Sequence, residues 1–270
     1  MTVRDKLWLF ASRAHDDDLY FGGNSELKTR WSRITPAEGA FMLGVPNLIL
    51  VNSDGIPVPF SADAYGYAES FCRLKNVLWS ATGSGGFRIG NEEAFILKLA
   101  EKYPNIAGAY LDDFFGVLYK GQPDELEKTE ALLRSIRGKL AESKRPLEMW
   151  VTWYAHTLRT ISPKLLEYMD GLTLWTWRCE ELPQLPERWE FVEKQYAHKK
   201  KLLGIYMYDY PTRKAVPNEL MELQCEFGLT LLREHRADGL VFLTNCVMGV
   251  GLPSEYWLRR WIDRVGEITL

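Results

Sequence analysis

The strongest constraint in this sequence is a rhythm. Eight short runs of apolar residues alternate with eight stretches of helical character. The runs begin at Leu7, Val45, Val77, Ile106, Leu147, Gly171, Leu202 and Gly239, and each is apolar at nearly every position instead of every second one. Strands of that kind are buried on both faces, as in parallel sheets covered by helices. The intervening segments carry helix-start chemistry. Thr35-Pro36-Ala37-Glu38 forms a capping box with proline in the first turn, Ser61 and Asn91 are placed as N-caps, and Pro123, Pro163, Pro186, Pro217 and Pro253 open further helices. Leu126, Leu132, Leu133, Ile136 and Leu140 recur at helical spacing. Eight strand-helix units in 270 residues predict an α/β chain folded as a single-domain (β/α)8 TIM barrel over residues 1–270. A doubly wound open sheet is the alternative. Between the first strand and the first capping box lies a long polar stretch, Leu19–Arg33, containing Gly22-Gly23-Asn24.

Several function classes fall away on composition. The net charge is −3 with both signs dispersed, so there is no basic footprint for nucleic acid or anionic lipid. Apolar runs such as Phe41–Val51 are too short to span a bilayer. At the N-terminus Asp5 and Lys6 interrupt any signal-peptide pattern. The expectation is a cytoplasmic protein, or a secreted or periplasmic one whose signal peptide has been removed. Cys72, Cys179, Cys225 and Cys246 have no metal-type spacing and lie in apolar contexts, which predicts buried free thiols. No cofactor and no metal is expected; the glycines of Gly83-Ser84-Gly85-Gly86 lack phosphate-loop spacing. The oligomeric state is left open.

In a barrel of this type, chemistry sits at the carboxyl ends of the strands. There the sequence collects acids and rings. The polar residues are His15 with Asp16, Asn52 with Asp54, Asp112 with Asp113, His156, Glu180 with Glu181, Asp209 and Asn245. The aromatics include Trp150, Trp153, Trp175, Trp177, Tyr206, Tyr208 and Tyr210, from a chain with 10 Trp and 13 Tyr. Flat rings stack on sugar faces while carboxylates and amides bind hydroxyls, so the expected ligand is a small-molecule or oligosaccharide substrate. The apolar run Ile106–Leu111 ends in Asp112-Asp113, two charges that a buried strand end does not tolerate without compensation. Alternation puts Gly108, Tyr110 and Asp112 on one face, and the more polar face should be the inner one. Asp112 is thus expected toward the axis and Asp113 at the rim.

The layout, with Tyr110-Leu111-Asp112-Asp113-Phe114-Phe115 at the fourth strand end, resembles (β/α)8 glycoside hydrolases, and matches none of their specific family motifs. That resemblance implies hydrolysis by two carboxyl groups. Asp112 or Asp113 would be one, and Asp209 or Glu180 the other. His15, Asp16, Trp150, Trp153, Trp177, Tyr208 and Asn245 would contact substrate, with Trp153, Trp177 and Tyr208 as the platform. Two alternatives are kept. One is a divalent-metal sugar isomerase or epimerase drawing ligands from His15, Asp16, Asp112, His156 and Glu180; the other is a non-catalytic carbohydrate-binding barrel.

Overall fold

In a computed structural model, residues 1–21, 31–119 and 122–270 are described. The Gly22-Gly23-Asn24 stretch lies outside the described residues. The barrel strands are β1 (Leu7–Ala11), β2 (Asn47–Leu50), β3 (Asn76–Thr82), β4 (Ile106–Leu111), β5 (Glu148–Tyr154), β6 (Gly171–Trp175), β7 (Lys200–Tyr206) and β8 (Gly239–Leu243). They close in the order β1-β8-β7-β6-β5-β4-β3-β2, so consecutive strands are neighbours and the last returns to the first. The principal helices are α1 (Pro36–Leu43), α2 (Ala62–Ser70), α3 (Glu92–Lys102), α4 (Pro123–Leu140), α5 (Pro163–Leu166), α6 (Leu185–Gln195), α7 (Asn218–Arg233) and α8 (Pro253–Val265), one after each strand. This is the (β/α)8 barrel that the alternation predicts.

Local chemistry sets the helix starts. Thr35 caps α1 in a reciprocal box with Glu38, and Gly44 ends that helix in the left-handed region (φ 62°). The Ser61 hydroxyl accepts from the backbone N–H of Ala64 at the start of α2. β4 stops at Leu111 because Asp113 turns the chain with φ 46°.

The chain divides into two compact units, Met1–Leu48 with Leu174–Leu270, and Ile49–Thr173. In the first, β1 pairs with β8 and β8 with β7, all parallel. Trp175 fills the interior there, against Phe10 and Tyr206. In the second, β3, β4 and β5 pair in parallel, with register shifts at Val77/Leu78 and Ser80/Thr82. Tyr110 of β4 reaches past Thr152 of β5 to Thr173 of β6, which marks Tyr110 and Thr152 as interior. By alternation Gly108, Asp112, Trp150 and Tyr154 share that side, whereas Met149, Val151 and Trp153 face the helices. No helix among the described residues is long and apolar enough to cross a membrane.

Two of the four cysteines depart from the buried-thiol expectation. Cys72 follows α2 and is exposed, and Cys179 is half-buried; Cys225 and Cys246 are buried.

Candidate active site

The unit Ile49–Thr173 carries the Asp112–Asp113 pair. Asp112 follows β4 on the interior side and is 5% exposed. Its backbone is pinned to β3: the Asp112 N–H donates to the Thr82 carbonyl (3.1 Å), and the Thr82 hydroxyl donates to the Asp112 carbonyl (2.8 Å). Its carboxyl Oδ1 lies 2.7 Å from Thr152 Oγ1. Burial, then the adjacent Asp113 charge, raises the Asp112 carboxyl well above the usual carboxylate range. Asp113 is set at the mouth of the strand by its left-handed turn. Both of its oxygens accept: Oδ2 from the Gly85 N–H (2.9 Å) and Oδ1 from the Tyr154 hydroxyl (2.7 Å). The Tyr154 ring in turn stacks on exposed His156, with centroids 5.5 Å apart and planes at 20°. Two neighbouring acids therefore sit in different surroundings, one sealed beside a hydroxyl and one held by two donors.

The other unit carries a second acid-aromatic cluster. His15 (φ 66°) is exposed. Asp16 is ion-paired with Arg13 through a short contact, and burial, outweighing Arg13, raises its carboxyl. Asp17 accepts at Oδ2 from the Tyr210 hydroxyl (2.7 Å) and is pushed up to about 6, first by burial and then by the Asp16 and Asp18 charges. Tyr210 stacks on Trp177 at 5.7 Å and 10°, with Tyr206 edge-on to both. Trp177 is half-buried and belongs to the fringe of the cluster.

Five of the expected site residues have other duties. Trp150 lies inside the barrel but deep, 3% exposed, with its Nε1–H donated to Glu148 (2.8 Å), so it fills core. Trp153 is fully buried on the helix-facing side and offers no ring to a ligand. Tyr208 is fully buried, donates to the Tyr20 carbonyl (3.1 Å) and packs edge-on against Phe21 and Tyr210. Asn245 is fully buried; its Oδ1 accepts from the Ser12 N–H (3.1 Å) and its Nδ2 donates to the Ser12 and Ile34 carbonyls (2.9 and 2.7 Å). These contacts occupy the amide with loop stitching. Glu180 has a 73% exposed side chain, 3.8 Å from Arg178, so it stands out in solvent and not in an enclosed site.

Asp209 is 3% exposed and anchors the ribbon formed by Tyr208–Asp209 and Lys214–Ala215. It accepts from the Cys179 N–H (3.3 Å) and, through a short contact, from Thr212. Burial and the Asp209 charge push the Cys179 thiol up to about 11, and burial takes Cys246 to about 12, so both stay protonated and unsuited to nucleophilic attack. Among the described residues no three His, Cys, Asp or Glu side chains gather in a way that would hold a metal ion.

Tyr154 and Asp17 are not singled out as site residues by the sequence, and Tyr210 enters there only as one of the strand-end aromatics. For Tyr154 the signal was present: it alternates in step with Trp150 and Thr152, whereas Trp153 does not.

No family model matches the sequence, and no curated protein matches it. Solved structures do resemble it in fold. A GH99 endo-α-mannosidase from Bacteroides thetaiotaomicron aligns with a TM-score of 0.61 at 11% identity, over 98% of each chain. The PgaB (BpsB) glycoside hydrolase domain from Bordetella bronchiseptica aligns with a TM-score of 0.56 at 11% identity, over 98% of this chain and 99% of that one. An aldolase, QR15, aligns with a TM-score of 0.52 at 10% identity, over 97% and 98%. The chain thus shares the (β/α)8 architecture of several glycoside hydrolases, and at these identities the likeness is one of fold.

Proposed function

We propose that the protein is a carbohydrate-active enzyme, a glycoside hydrolase whose reacting groups are Asp112 and Asp113. The observation that carries this reading is the contrast between the two acids. Asp112 is sealed at the inner side of the strand end and favours its protonated form; Asp113 has both oxygens engaged by donors. Glycosidic cleavage needs one carboxyl that gives a proton to the leaving oxygen and one that supports the developing positive charge or activates the attacking group. Asp112 takes the first part and Asp113 the second. Asp209, Glu180, His15 and Asp16 carry no part in this mechanism. Trp177 is proposed, from its own unit alone, as a ring on which a sugar stacks.

The test is turnover of a panel of aryl glycosides by the parent protein, Asp112→Asn and Asp113→Asn. Cleavage by the parent, with a loss of roughly 10²–10⁴-fold in kcat for either variant, supports the reading. Retained glycan binding with no turnover of any substrate by the parent replaces it with a non-catalytic carbohydrate-binding barrel.

A further inference from the structure

One tight turn of the unit Ile49–Thr173, Gly83-Ser84-Gly85-Gly86 after β3, ties together the ends of three strands. The Ser84 N–H donates to the Asn52 carbonyl (2.8 Å), and the next N–H, that of Gly85, donates to Asp113 Oδ2 (2.9 Å). Asn52, two residues past β2, and Asp113, at the mouth of β4, are thus held by consecutive N–H groups of the same turn. Gly83 permits this close approach, since a Cβ there would stand 2.3 Å from the Asn52 carbonyl oxygen. The Gly83 N–H also donates to the Phe87 carbonyl (2.9 Å), which fixes where Phe87 leaves the turn.

Two side chains around the turn are out of keeping with a purely structural role. Asn52, one of the polar residues at the strand ends, is 4% exposed, and its Oδ1 is buried with no hydrogen-bond partner among the described residues. A fold gains nothing from an amide left in that state. Phe87 is 46% exposed, with its ring over Gly55 of the loop after β2, where a Cβ would stand 2.6 Å from Cε1. The backbone that carries the ring is anchored on its far side as well. Arg88 donates through Nη1 to the Ala81 carbonyl (2.5 Å) and through Nη2 to Glu93 Oε1 (2.6 Å), and the Gly90 N–H donates to Glu92 Oε2 (2.9 Å). An apolar ring is held in water on a fixed support, while a nearby amide is held out of water with nothing to bind.

We propose that Phe87 and Asn52 form a sugar-binding subsite beside Asp112 and Asp113, in which a pyranose stacks on the Phe87 ring and one of its hydroxyls pairs with the Asn52 amide. The ring suits the apolar C–H face of a pyranose. The amide both donates and accepts, as a hydroxyl does. Anchoring of the turn positions both groups before the ligand arrives, so little ordering remains for binding to supply. In this unit Phe87 takes the part that the sequence assigns to Trp153, which is sealed on the helix-facing side. The placement of the sugar next to the acids rests on the proposed role of the Asp112–Asp113 pair, so the test reads binding and not turnover.

Methyl pyranosides of glucose, mannose, galactose and N-acetylglucosamine, in both anomeric forms, are titrated into the full chain. NMR follows the Asn52 side-chain NH2 signal and the Phe87 ring signals, which Asn52→Ala and Phe87→Ala assign. At least one pyranoside should shift both sets of signals in the parent. Phe87→Ala should weaken that binding roughly 10-fold, and Phe87→Tyr, which keeps the ring, should restore it. Asn52→Ala should weaken it by a similar factor while unfolding at or above the midpoint of the parent, because no hydrogen bond of the fold is lost. The inference is overturned if no pyranoside shifts these signals or if either alanine variant binds as the parent does. It is equally overturned if Asn52→Ala unfolds earlier than the parent, since the amide would then serve the fold. Binding at Phe87 and Asn52 without turnover of any aryl glycoside would leave the subsite standing and remove the hydrolase reading; turnover with binding unchanged in both variants would do the reverse.

Discussion

The indole of Trp150 occupies the space that a side chain on Gly171 would need: an ideal Cβ there would stand 2.2 Å from Cδ2 and Cε3 of the ring. The same device recurs where Trp175 lies against Gly204. In each case a bulky residue on one strand is admitted by a glycine on the next, which is how a narrow barrel interior takes an indole.

Gly171→Ala should therefore overpack the interior. The expected cost is about 1–3 kcal/mol, read as a lower urea midpoint at unchanged slope. Trp150→Phe in the same chain removes the clashing ring, and the double variant should recover part of that loss, giving a coupling energy between the two sites. Additive effects would show that the two positions do not share the space.

Asn245 provides a sharper test of a buried polar group. Asn245→Asp is nearly isosteric but turns the Nδ2 donor, now bonded to the Ser12 and Ile34 carbonyls, into an acceptor. Two carbonyls would face an oxygen in a site closed to water. A loss of roughly 3 kcal/mol or more is expected in thermal or chemical unfolding. An unchanged Tm would mean that this amide does not hold the loops together.

The barrel was legible because it is written redundantly: eight apolar runs, eight cap or proline signals and nearly regular spacing all point the same way. α1 and α8 begin at the prolines that announce them, Pro36 and Pro253. The site was less legible, for a geometric reason. Strand ends list the residues present but not their depth. Trp153 and Tyr208 read as platform rings from their place beside a strand end, yet one faces the helices and the other is sealed under Tyr20 and Phe21. Asn245 looks like a ligand-binding amide in sequence, and it is the fold that brings Ser12 and Ile34 to consume it. Alternation does carry information at this strand end, since Tyr110 and Asp112 share a face and both meet Thr152.

Asp17 makes stability depend on pH in a predictable direction. Its carboxyl is raised to about 6 in the folded protein, chiefly by burial, against an ordinary value of 3.8. Between those values the folded state binds the proton more tightly than the unfolded chain. The associated stabilisation is therefore complete below about pH 4 and disappears as pH climbs through 6. The full difference is on the order of 2–3 kcal/mol. Asp17→Asn should flatten the decline in stability between pH 4 and 7, measured by urea unfolding at several pH values. Parallel profiles for parent and variant would assign the decline to other buried acids, such as Glu255, whose carboxyl burial also raises.

Tyr154→Phe separates positioning from architecture at the Asp112–Asp113 pair. The substitution keeps the ring that stacks on His156 and removes only the hydroxyl that donates to Asp113 Oδ1. Tyr154 is half-buried, so water can take the vacated place and the fold should lose little stability. If Asp113 is the carboxylate that supports the transition state, losing an oriented donor lets it rotate away from its working position. A fall of roughly 10-fold or more in kcat with KM nearly unchanged is then expected, since an interaction that matters only in the transition state is removed. The measurement is steady-state turnover of whichever glycoside the parent cleaves, alongside the Tm of both proteins. Unchanged kcat with an unchanged Tm would show that the orientation of Asp113 plays no part in the reaction, and the division of labour between the two acids would have to be abandoned.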